Sequence, residues 1–105
     1  MGDEFLAYVG PAHLHDGTVL AVEHCGADAT VHVRGVDARE YRLLFRGVCA
    51  IRAHRAEGMM LYAVAELRSQ GLARRFVFSN WDESDDVRLE IEAHDMHVEP
   101  AASAR

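Results

Sequence analysis

The stretch from Glu40 to His54, EYRLLFRGVCAIRAH, keeps one period for fifteen residues and decides the fold. Its odd positions are Tyr41, Leu43, Phe45, Gly47, Cys49, Ile51 and Ala53, none of them charged, while its even positions include Glu40, Arg42, Arg46, Arg52 and His54. Side chains of period two alternate between the faces of a strand. Wound as a helix at about 100° per residue, the charged residues would occupy the whole circumference and leave no apolar stripe to bury. The pattern predicts a long strand with one buried face. Gly47 in its middle predicts a bulge or bend, through which one strand serves two sheets or curls across a core.

Working outward, ATVHVRG before it alternates Ala29, Val31 and Val33 with Thr30, His32 and Arg34. Upstream, TVLAVEHC (18–25) is β-branched and apolar, and Cys-Gly-Ala-Asp links the two as a hairpin. The reversal Gly35-Val-Asp-Ala is short enough to predict antiparallel pairing with the long strand. The segment AHLHDG reads as a turn by its Asp-Gly ending. DEFLAYV (3–9) fits either a short helix capped by Asp3, with Phe5, Leu6 and Val9 on one side, or an edge strand.

Downstream, EGMMLYAVAELR (57–68) satisfies both periods, and the strand is preferred because Ser69-Gln-Gly71 then turns into a clear partner. That partner is LARRFVFSNW, with Phe76 and Phe78 pointing one way. VRLEIEA (87–93) puts Val87, Leu89, Ile91 and Ala93 on one face; afterwards the apolar set slips to Met96 and Val98, which calls for a bulge near His94 and Asp95. Residues 100–105 read as a disordered tail. The whole predicts an all-β chain, or mainly β with one short helix, folded as an antiparallel β-sandwich or rolled sheet. All 105 residues form a single domain, large enough to need no disulfide or metal staple.

Half of the residues are hydrophobic and 27% charged, an ordinary globular balance. No apolar run approaches a membrane span, and the start MGDEFLAYVG carries acids where a secretory signal has basic residues, so a cytoplasmic protein with no membrane association is expected. A net charge of −6 argues against nucleic acid as a partner, because that requires a concentrated positive face. All 11 basic residues are Arg, a usage that with abundant Ala and Gly points to a GC-rich bacterial source. Cys25 and Cys49 lie among apolar residues and read as buried free thiols.

Three clusters carry candidate chemistry. His13, His15 and Asp16 sit at strand spacing, and His94 and His97 repeat the ingredients; together they are the candidate set for a divalent metal such as zinc, in a binding protein or metal-dependent enzyme. The plainer alternative has His15 and Asp16 bonding the backbone of their own turn, with no cofactor. Trp81 and Asp82 open an acidic run that reads as a wet loop or as an aromatic anchor with an acidic rim. Arg42, Arg46 and Arg52 form an arginine row that pairs with cross-strand carboxylates such as Glu90 and Glu92, or presents an anion or acidic-protein surface. No nucleophile elbow or phosphate loop supports an enzyme assignment.

The segment HLHDG, the stretch GVCAIRAHRAEGMMLYAVAEL and the stretch RRFVFSNWDESDDVRLEIEA resemble a pattern of small uncharacterised bacterial β-rich domain proteins. In these a His-Asp-Gly segment precedes the first strand and a Gly-Val pair closes the long one. The resemblance spans most of the chain and implies structural roles for His15, Asp16, Gly17, Gly47 and Val48. It implies no activity, and some similar small proteins are toxin-immunity partners. The expectation is a non-enzymatic interaction or accessory domain, immunity-like, working through a protein partner or as a homo-oligomer. If the odd face of 40–54 is core, Leu43→Ala or Phe45→Ala will lower the unfolding free energy by about 3 to 5 kcal/mol in urea denaturation.

Overall fold

A computed structural model describes residues 5–10, 14–69, 71, 73–80 and 87–101. Its strands are β1 (Phe5–Tyr8), β2 (Thr18–Cys25), β3 (Asp28–Arg34), β4 (Glu40–Arg46), β5 (Ala50–His54), β6 (Leu61–Leu67), β7 (Arg74–Asn80), β8 (Arg88–Ala93) and β9 (Asp95–Pro100). They form two antiparallel sheets, one ordered β1-β6-β7-β8-β5 and the other β2-β3-β4-β9. The sheets pack face to face as a β-sandwich, as the alternation predicts.

The stretch 40–54 is extended throughout but belongs to both sheets. β4 pairs with β9 in the four-stranded sheet, and β5 pairs with β8 in the five-stranded one. Two long segments, 40–54 and 88–100, thus run antiparallel and cross together from one layer to the other. The hinge is Gly47 opposite His94. The His94 amide donates to the carbonyls of Arg46 (2.9 Å) and Gly47 (3.2 Å), and the Cys49 amide donates to Glu92 (2.7 Å). Gly47 has φ +66°, and a Cβ there would lie 2.4 Å from His94 Cδ2, so this corner accepts only glycine without rearrangement.

Facing positions of the two sheets make the core. Tyr41, Leu43 and Phe45 of β4 line up with Val33, Val31 and Ala29 of β3, and all are buried. Phe45 meets Phe76 edge-on at 5.4 Å between ring centroids and Phe78 at 6.1 Å, joining the layers through aromatic contact. Leu61, Val64, Leu89 and Ile91 complete the interior from the five-stranded sheet.

Several expectations need correction. Phe5–Tyr8 is an edge strand, the other of the two readings of 3–9, so the helical alternative does not form over the described residues 5–9; all four strand residues are exposed and β1 finds its partner in β6. The buried face of 40–54 fades after the bend: Ile51 packs partly on the core, but Cys49 lies in the exposed corner and Ala53 on an edge strand. Cys25 and Cys49 are both free and exposed rather than buried, because they sit at a hairpin end and in the corner. The phase change at His94 and Asp95 is a crossing between sheets, not a bulge within one strand. The preferred strand reading of 57–68 holds for Leu61–Leu67, with a register shift between Leu61 and Ala63 and with Val64 in the core cluster. Pro100 pairs with Tyr41 and the Ala101 amide donates to Glu40 (2.9 Å), so the last strand runs beyond the expected start of the tail.

Gly47→Ala will destabilise the fold by about 1 to 3 kcal/mol through left-handed backbone strain alone, and more through contact with the His94 ring. Adding His94→Ala will recover the ring's share, giving a non-additive cycle in urea denaturation; strictly additive losses would show that the two residues do not share the corner.

Candidate functional site

The surface beside β1 is assembled from four separated pieces of sequence. The turn Leu14 to Gly17 is bound to the start of β6: the Asp16 amide donates to the Tyr62 carbonyl (3.3 Å), and the Leu61 amide donates to the Gly17 carbonyl (2.8 Å). Asp16 takes φ 67°, a conformation that Asp tolerates better than most residues. Gly17 is required because a Cβ would lie 2.4 Å from the Arg34 carbonyl oxygen. This seating brings the His15 ring within 5.3 Å of Tyr8 and 6.4 Å of Tyr62, between ring centroids.

Strand register supplies the rest. Phe5 pairs with Leu67 and Tyr8 with Ala65, and the shift between Phe5 and Ala7 lets both rings share the outer face although they are three residues apart. Their centroids are 4.8 Å apart in an edge-on arrangement. The bulge between Leu61 and Ala63 places Tyr62 on the same surface, 6.4 Å from Tyr8. Phe5, Leu6, Tyr8 and Tyr62 retain 51%, 47%, 50% and 40% of their full exposure, a large apolar surface for so short an edge. The neighbouring Tyr62 pushes the Tyr8 hydroxyl above its ordinary pKa, mainly through repulsion between two phenolates, with lost hydration and a hydrogen bond between the hydroxyls adding to it. Tyr8 is therefore neutral at physiological pH.

Across the same outer face the character changes from apolar to ionic. Glu90, 8% exposed, accepts hydrogen bonds from Arg75 (2.6 Å) and Arg52 (3.2 Å), and Arg52 also donates to Glu92 (3.0 Å). These are the carboxylates expected for the arginine row. The row itself is split, because the corner at Gly47 carries Arg42 and Arg46 onto the four-stranded sheet and Arg52 onto the five-stranded one. Arg42 pairs with Glu99, and Arg46 is exposed opposite Asp95 in the register. Arg74 grips Glu66 through two hydrogen bonds (2.9 and 3.0 Å) and lies 5.0 Å over the Phe76 ring. The Glu66 hydrogen bonds hold its guanidinium still more firmly protonated than usual, against partial desolvation.

Among the described residues, the metal candidates His15, Asp16, His94 and His97 are not drawn together into one site. His15 stands among the tyrosines, His94 rests on Gly47, and His97 lies on β9 opposite Leu44. Among the described residues, no group of three or more His, Cys, Asp or Glu is arranged to hold an ion. His13, Trp81 and Asp82 lie outside the described residues. No helix of the described residues is long and apolar enough to cross a membrane.

No family model, curated protein or solved structure matches this chain. The surface that stands out was missed in the sequence, where 3–9 fitted either a helix, with Phe5, Leu6 and Val9 on one side, or an edge strand, and nothing singled out Tyr62. Only the two register shifts put the three rings together.

Glu90→Ala will cost about 1 to 3 kcal/mol, because it leaves two guanidiniums without their shared, mostly buried acceptor. Glu99→Ala, at a half-exposed pair, will cost less than about 1 kcal/mol. Urea titrations of the two variants test that order.

Proposed function

We propose that this chain is a non-enzymatic protein-recognition domain that binds through the exposed edge of its five-stranded sheet. The supporting observation is β1: an edge strand, FLAY, with no charge, Gly or Pro, carrying Phe5 and Tyr8 beside Tyr62 in a half-exposed aromatic row. Such an edge offers main-chain donors and acceptors to an added strand, while aromatic side chains supply the area that dominates interface energetics. Between its two sheets the sandwich is filled, so the exposed apolar surface has no part in holding the layers together. We place the domain in a bacterial cytoplasm, where two exposed free thiols are compatible with the reducing conditions.

Affinity capture from the native host tests this reading with three proteins of matched melting temperature: wild type, Tyr8→Lys, and Val36→Lys at an exposed apolar position on the turn between β3 and β4. The expected result is a partner retained by V36K and lost by Y8K. Identical captured sets for all three would end the proposal.

A further inference from the structure

We infer that the occupant of the β1 edge is a second copy of this chain, paired antiparallel with β1 across a two-fold axis to fuse two five-stranded sheets into one. The inference rests on the reading of β1 as a recognition edge and adds the identity of the partner.

The comparison of edges carries it. Natural sheets protect their free edges with charges, Pro, bulges or covering segments. The edge strand β5 presents Arg52 and His54, and β9 presents Asp95, His97, Glu99 and Pro100. β2 has Glu23 and His24, and a loop covers its first half: the Val19 amide donates to Met59 (2.9 Å), the Gly58 amide to Val19 (2.7 Å), and the Val22 amide to Glu57 Oε2 (3.2 Å). β1 has no such charge, Pro or cover among the described residues; it is only four residues long, and its one bulge, between Phe5 and Ala7, leaves both rings on the exposed face.

The strand is also complementary to itself. With the axis between Leu6 and Ala7, Phe5 of one copy stands opposite Tyr8 of the other. Both rings already occupy the outer face, so four rings form one continuous row across the junction. Half of two aromatic side chains, at about 200 Å² each, together with Leu6 and the strand backbone, gives roughly 400 Å² per copy, or about 800 Å² in all, the size of a weak, transient contact. The dimer is therefore weak and reversible. Because the same edge is used on both copies, the contact closes at two and leaves no equivalent edge for a third. Each copy carries a charge of −6, so added salt strengthens the association by screening repulsion.

Sedimentation equilibrium over micromolar to millimolar concentrations tests this, with amide hydrogen exchange at low and high concentration locating the contact. Expected are a monomer–dimer equilibrium that tightens with salt, slower exchange in β1 at high concentration, and a dissociation constant raised about tenfold or more in both Tyr8→Lys and Leu6→Lys but not in Val36→Lys. Two substitutions guard against one that perturbs folding, and far-ultraviolet circular dichroism checks each. A wild type that stays monomeric, or a dimer that both β1 variants leave intact, overturns the inference. If the wild type is monomeric yet a host protein is captured in a Tyr8-dependent way, the edge binds a different chain and the recognition reading survives; if capture is also absent, both fall.

Discussion

The corner where Gly47 meets His94 is the constraint on which the sandwich depends. Two antiparallel segments have to leave one sheet and join the other at the same point, and they do so without losing their mutual hydrogen bonds. A left-handed residue without a Cβ makes the turn, and the imidazole occupies the space that the missing side chain leaves. Because β4 and β8 are thereby fixed in opposite layers, Phe45 comes down between Phe76 and Phe78 and the core closes around them.

With the interior filled, the outer faces are free to differ. On the five-stranded sheet, carboxylates and guanidiniums on β8, β7 and β5 satisfy one another, and this half of the face is internally neutralised around the mostly buried Glu90. Towards β1 the side chains become small or aromatic, and the sheet ends in an uncharged strand. The two ends of the sheet thus differ in chemical character, ionic at β5 and β8 and aromatic at β1. Sheet edges carry unpaired backbone donors and acceptors by default, and an exposed edge without a charge leaves them open to an added strand.

Much of the fold was legible in the sequence because burial on one face imposes period two. The hairpin 18–34, the turn into 40–46, the inward Phe76 and Phe78, and the inward Leu89 and Ile91 all follow from alternation and turn chemistry. Gly47 announced the bend. The strand–helix ambiguity at 57–68 and at 3–9 arose because short apolar segments satisfy both periods, and it was resolved only by pairing partners lying far away in the chain. The arginine row failed as a unit for the same reason: alternation records which side a residue faces, not which sheet it belongs to.

The sequence by itself determined that this is an antiparallel β chain with a bend at Gly47, since those properties reside in local periodicity and in the steric freedom of single residues. The tertiary structure alone decided that His94 stands in the corner, that Arg42 and Arg52 part company, and that Phe5, Tyr8, Tyr62 and His15 share a surface. These are contacts between distant segments, set by strand order and by one-residue shifts in register, and a shift of one residue exchanges the two faces of a strand.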